Sequence, residues 1–328
     1  MINVFKALSP LNILKLFIVL IVLRAVYIYN APLNIPFAFE GTFSRLLITG
    51  SHQYPFSVAF NIILAATIVF IQALLLNYIV NHFNLLGKPT LLPALMYITL
   101  ASLFNPFLLL TPALVCNFLL IWILFKLFSL YKIKDAKSTT YDLGLIAGLG
   151  TLIYIPFIYF FLLIFIGLAI FRPLVWREFL TAIIGFLTIL FFLVVYYYLN
   201  DKLSQFIDII QPNSTKITST ISINKYNLWV LLPVTIILIL CLYKIQQNFF
   251  RSYVQVRKSF QLIFIIFILT LSTFYLKGAF NWNHFITSVV PGAILFSYYF
   301  SQARVKWFYE SVFLILFAGI VYFQFNTF

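Results

Sequence analysis

The thirty residues Asp142–Phe171, DLGLIAGLGTLIYIPFIYFFLLIFIGLAIF, carry no charge after Asp142 and place Pro156 at their middle. One membrane-crossing helix needs about 20 apolar residues, so the stretch is too long for one ordinary span and too short for two full ones. Proline removes a backbone donor and pushes the residue before it out of the helical region. The stretch therefore reads as a hairpin of two short helices, double-crossing or re-entrant. This decides the fold, because one crossing more or fewer moves every later loop to the other side.

Around the hairpin lie further long apolar segments: Leu11–Tyr29, Phe56–Val80, a tight pair Leu91–Phe104 and Phe107–Phe125 turned by Asn105-Pro106, and Trp176–Leu199. Four more follow at Tyr226–Tyr243, Gln261–Leu276, Phe285–Phe300 and Phe308–Phe325. With the hairpin counted as two, about 11 spans are expected. The fold class is an all-α, polytopic transmembrane bundle in a single integral membrane domain over residues 1–328. Two polar stretches interrupt it. The loop 30–55 is read as outer, with a short interfacial helix over Phe37–Thr49, and 200–225 as a second outer loop.

Charge tests the parity. With the N-terminus in the cytoplasm, thirteen Lys and Arg fall in inner loops, densest at Lys132/Lys134/Lys137 and Lys244/Arg251/Arg257/Lys258. Six (Arg24, Arg45, Lys202, Lys216, Lys225, Lys277) fall outside, and Lys6 and Lys15 join the inner set. That bias follows the positive-inside rule. A single crossing at Asp142–Phe171 would turn the Lys244–Lys258 cluster outward, so the bias favours the hairpin. The expected orientation is N-terminus in, C-terminus out, in a bacterial inner membrane. The first apolar segment lacks a small-residue cleavage site and is read as a retained signal anchor.

Composition excludes several classes. Hydrophobic residues make up 63% of the chain and charged ones 9%, with a mean hydropathy of +1.06; soluble domains carry about 25% charge. The net charge of +14 belongs to loops facing anionic lipid rather than to a nucleic-acid surface. Cys116 and Cys241 each lie inside an apolar segment and read as small hydrophobes. No compact catalytic motif is present, no histidine, cysteine or carboxylate spacing suits a metal, and no cofactor is identified.

The candidate chemistry lies in few polar groups. Glu40, in PFAFEGTFSR over 36–45, sits where a carboxylate would serve as general base on a hydroxyl at the lipid–water boundary. An ion pair with Arg24 or Arg45 is the plain alternative. Arg24 lies near the outer end of an otherwise apolar span, either as a functional charge or as a snorkelling anchor. Arg45, His52, Lys277 and His284 all fall on the outer side. Together with Arg24 they form a cationic set suited to a lipid phosphate; Lys277, Trp282 and His284 also fit an ordinary interfacial belt. Arg172-Pro-x-x-Trp-Arg-Glu178 reads as a cytoplasmic helix start with Glu178 complementing the dipole.

The order of span, acidic loop with Glu40, Gly50-Ser-His-Gln-Tyr-Pro-Phe56 and second span resembles the glycosyltransferase C superfamily over the first 80 or so residues. That resemblance implies transfer of a sugar from a polyprenyl phosphate to an acceptor outside the cytoplasm. It implies Glu40 as the acceptor's base and Arg45, His52 and His284 steadying the phosphate. The chain departs from the pattern in having one loop acid where many members have an adjacent pair, and in lacking a large C-terminal periplasmic domain. Through Phe171-Arg-Pro-Leu-Val-Trp-Arg-Glu-Phe179 it also resembles an uncharacterised family of multi-span inner-membrane proteins of Bacteroidota. The readings left open are a glycosyltransferase acting on a lipid-linked substrate, a transporter or flippase using Asn61, Gln72 and Asn117, and a non-catalytic subunit or assembly factor of an envelope complex. Expected partners are membrane lipids, a polyprenyl-phosphate sugar and a membrane-protein partner.

Overall fold

The structure, a computed structural model, describes residues 1–29, 57–133, 135–201, 225–272, 282–303 and 305–325. Residues 30–56, with Glu40, Arg45 and His52, and residues 202–224 lie outside the described residues, as does Lys277. The described residues form helices and no strands. They are α1 (Ile2–Phe5), α2 (Pro10–Tyr29), α3 (Val58–His82), α4 (Leu92–Leu100), α5 (Pro112–Ser129) and α6 (Lys137–Ile153). Next come α7 (Tyr159–Phe171), α8 (Trp176–Leu199), α9 (Lys225–Asn248), α10 (Val254–Ser272), α11 (Val289–Gln302) and α12 (Lys306–Phe325). Among the described residues, six stretches are long and apolar enough to cross a membrane: α2, α3, α5, α8, α10 and Trp229–Arg251.

Contacts place the helix ends in two groups. At one end the Leu91 amide donates to the Phe5 carbonyl, Tyr309 donates to Asn3, Lys126 pairs with Asp142 at 2.9 Å, and Phe128 packs on Phe83 and Phe171. At the other, Arg24 reaches Leu108, Tyr154 meets His284, Phe104 packs on Trp282, and Gln324 reaches Ser102. Successive helices from α2 to α12 run alternately between these ends. The first holds Lys6, Lys88, Lys126, Lys137, Arg172, Arg251 and Lys306, and is called here the basic end.

The hairpin turns where Pro156 stands. α6 stops at Ile153, a 3-10 turn occupies Ile155–Ile158, and α7 runs back until Arg172 donates to the Ile133 carbonyl just before α6 begins. The helix starts five residues earlier than the sequence suggests. Asp135 accepts from the Lys137 amide at 3.3 Å and serves as the first turn's acceptor, which shortens the basic loop. That hydrogen bond, with Lys137 close by, holds the exposed Asp135 carboxyl below its usual range.

α8 then lies parallel to α6. Thr140 bonds Thr181 at 2.6 Å, Gly144 faces Ala182, and Gly148 faces Ile189, so both chains advance together. Gly144, Gly148 and Gly185 let the backbones touch; a Cβ on Gly144 would collide with the Ala182 carbonyl and one on Gly185 with that of Tyr141. Between membrane helices, where lipid is as apolar as leucine, such close approach is a main source of association. Arg172 and the buried Glu178 close the base of the three-helix unit as an ion pair of 2.9 Å.

The tight pair differs from its expected form. α4 has nine residues and α5 begins at Pro112 rather than Phe107. Pro106 and Pro112 both sit at first-turn positions, and the Thr111 hydroxyl caps the Leu114 amide at 3.2 Å, so a longer connection separates two helices. α9 continues through Pro233.

Replacing Gly144 by Val should lower the thermal midpoint in detergent, consistent with about 1–3 kcal/mol of overpacking. Gly319→Ala, where a Cβ meets nothing within 4 Å, should be neutral or slightly stabilising. Equal effects at the two sites, measured by intrinsic fluorescence, would refute the close α6–α8 contact.

Candidate functional site

The end opposite the basic one gathers buried polar groups that apolar helices have no packing reason to carry. Arg24 is 1% exposed within α2, so it does not snorkel. Its Nη1 donates to the Leu108 carbonyl at 3.2 Å, while Nε and Nη2 have no partner among the described residues. A guanidinium buried at membrane depth costs roughly 2.5–3.5 kcal/mol even by insertion scales, and unmade hydrogen bonds add about 1–3 kcal/mol each. Its hydrogen bond is made possible by the non-helical residues after Asn105–Leu108, which leave the Leu108 carbonyl free. Tyr97 lies within electrostatic reach.

Tyr97 links the remaining polar groups. Its hydroxyl donates to Gln72 Oε1 at 2.7 Å and accepts from Asn117 Nδ2 at 3.2 Å. Gln72 Nε2 donates to the Leu114 carbonyl at 2.8 Å, and Asn117 Nδ2 also reaches the Ile286 carbonyl at 3.1 Å. Asn61 Oδ1 accepts from the Leu110 amide at 2.9 Å. Asn61 and Gln72, which the sequence offers as part of a transport path, are thus tied to backbone atoms at or just after the α4–α5 connection, and Asn117 to the Trp282–Ser288 segment, while Asn61 Nδ2 and Asn117 Oδ1 have no partner among the described residues. His284 is buried, with Nδ1 2.5 Å from the Tyr154 hydroxyl, where the hairpin turns. It is not a free interfacial residue.

An apolar cavity of about 340 Å³ lies beside this polar belt. Its walls come from Phe104 and Phe107, from Leu231, Val234 and Leu238 of α9, and from Phe267, Trp282, Phe285 and Gly292. The 3-10 segment Trp282–Ser288 separates the two: Trp282 and Phe285 face the cavity, His284 and the Ile286 carbonyl meet Tyr154 and Asn117. The turn Asn105–Leu108 does the same, with Phe107 on the cavity and the Leu108 carbonyl on Arg24. Outward, α9 exposes Leu232, Ile236 and Ile239. A space of this size and lining suits a hydrocarbon chain or an apolar ring.

Of the site residues expected from sequence, Arg24 and His284 are brought to the same end; Glu40, Arg45, His52 and Lys277 fall outside the described residues. Tyr97 and Tyr154 were missed. Tyr97 sits in a wholly apolar segment, and nothing in its spacing distinguishes it from the aromatic belts. Among the described residues no group of histidine, cysteine and carboxylates gathers to hold a metal, and Cys116 and Cys241 are buried free thiols.

Arg24→Met keeps much of the volume and removes the incompletely paired cation. The thermal midpoint should hold or rise, as at sites where function is kept at a cost in stability. A fall of more than about 5 °C would assign Arg24 to the framework instead.

No curated protein and no solved structure matches the chain. Residues 33–328 match a family of unknown function, DUF6427, and the chain belongs to that family.

Proposed function

We propose that this is an inner-membrane protein with eleven crossings, N-terminus inside and C-terminus outside, that acts on a lipid-linked substrate at its outer face. Its most concrete form is a glycosyltransferase using a polyprenyl-phosphate sugar. The observation that carries the reading is the pairing, at the end away from the basic loops, of an aromatic-lined apolar cavity with the buried, incompletely paired Arg24. An isoprenoid segment suits the cavity and a phosphate suits a guanidinium with free donors. In the transfer, the acceptor oxygen bonds to the sugar's anomeric carbon as the bond to phosphate oxygen breaks. Glu40 takes the acceptor's proton, and polyprenyl phosphate departs toward Arg24, Arg45, His52, Lys277 and His284. The use of Asn61, Gln72 and Asn117 in backbone hydrogen bonds favours this reading over a transporter or flippase.

Purified protein in nanodiscs should retain a polyprenyl-phosphate sugar, and Val234→Trp, which fills the cavity, should abolish retention. Glu40→Gln should bind normally and slow transfer by about 10²–10⁴, whereas Arg24→Met should weaken binding. Unchanged retention in Val234→Trp, with no transfer by the wild type, would leave the assembly-factor role in its place. For orientation, a reporter fused after Lys137 should be cytoplasmic and one after Phe328 periplasmic; both on one side would overturn the span count.

A further inference from the structure

The basic end carries more than scattered charge. α3 ends in a loop built on two left-handed residues, Asn84 (φ 50°) and Gly87 (φ 79°), with the Leu85 amide donating back to the Val80 carbonyl at 3.0 Å. Asn81 then clamps the backbone of Thr90 from both sides: Nδ2 donates to its carbonyl at 2.9 Å and Oδ1 accepts from its amide at 3.1 Å. Both backbone groups of Thr90 are therefore used. Its hydroxyl is not: Oγ1 has no partner among the described residues, although the residue is only 5% exposed. Buried hydroxyls are almost always bonded, so one held open by its own neighbours points to a group that arrives from outside.

Thr90 borders a cleft of about 520 Å³ with Lys6, Gly87, Lys88, Ser301 and Gln302. Lys6 is held there because the adjacent Phe5 is buried and its carbonyl takes the Leu91 amide at 2.9 Å; the ammonium rests 4.5 Å over the Tyr309 ring. Partial burial pulls the Lys6 ammonium below its usual range, and nearby Glu310 pulls it back only in part. An anion would reverse the effect of burial. A second cleft, of about 280 Å³, shares Leu86, Gly87 and Gln302 with the first and adds Arg251, Ser252 and Asn248. Neither is lined by a carboxylate. Glu310, the acid nearest Lys6, lies 3.5 Å from the amine of Met1. At Gly87 the side facing away from the chain is open, with nothing within 4 Å of an added Cβ, so a ligand can approach the backbone.

We infer that Lys6, Lys88, Thr90 and Arg251 form a phosphate-binding site at the basic end, filled by an anionic phospholipid headgroup or a soluble phosphate. Basic clefts between membrane helices at this level are suited to such headgroups. The site is at the opposite end from the cavity and stands whatever that cavity takes.

Native mass spectrometry of delipidated protein with added phosphatidylglycerol or phosphatidylcholine tests the lipid source, and calorimetry with inorganic phosphate the soluble one. The wild type should prefer phosphatidylglycerol or bind phosphate. Lys88→Ala should weaken whichever binds about fivefold. Thr90→Val, which keeps the backbone clamp and should not lower the thermal midpoint, should weaken it about tenfold. Lys244, at the same end but outside both clefts, is the control, and Lys244→Ala should change little. If neither ligand binds, or if Lys244→Ala matches Lys88→Ala while Thr90→Val has no effect, the charge is diffuse and the site is refuted.

Discussion

Water is absent from most of this protein's surroundings, so each polar atom placed among the helices must find its partner within the chain. The architecture follows from that demand. Gln72, Tyr97 and Asn117 bond one another and the Leu114 and Ile286 carbonyls, and so join α3, α4, α5 and the Trp282–Ser288 segment. Asn61 serves the Leu110 amide, which a non-helical connection would leave bare. Arg172 and Glu178 satisfy each other where α7 turns into α8. The demand is not met everywhere: among the described residues Asn77, Ser102 and Ser259 also keep an unpaired buried atom, and Arg24 and Thr90 differ from these in being a cation inside an apolar helix and a residue bordering a cleft lined by lysines.

The two ends divide the work. One gathers cations and hydroxyls around short loops. The other carries the cavity, the aromatic lining and the buried guanidinium. Asn105–Leu108 and Trp282–Ser288 are short 3-10 segments rather than full helices, and that permits each to turn an apolar face to the cavity and a polar one to the belt behind. A regular helix would have its carbonyls occupied and could not supply the Leu108 or Ile286 oxygen.

Much of the fold was legible because hydropathy and charge act over long stretches. The hairpin followed from the length of Asp142–Phe171 and from Pro156, and the charge bias independently favoured it. Helix ends were less legible where local hydrogen bonding decided them: Thr111 capping Leu114, Asp135 holding the start of α6, and the 3-10 turn before α11. Arg24 stood out as a charge in an apolar span. The bonds of His284 to Tyr154 and of Gln72 to Tyr97 join residues 130 and 25 positions apart, and composition carries no trace of such pairings. Arg172 and Glu178 each had a sufficient local reason to exist, which hid that they bond each other.

The parallel contact between α6 and α8 has a consequence for biogenesis. Two parallel neighbours in one chain require the segment between them to return first, so Gly144 cannot meet Ala182 until α7 has turned back and α8 has followed. During synthesis α6 is therefore a helix that opens on a polar run, Lys137 to Asp142, and has no permanent neighbour on its glycine face. The membrane must accept the three helices as one delayed unit. The Arg172–Glu178 pair, made only once α8 begins, marks its completion.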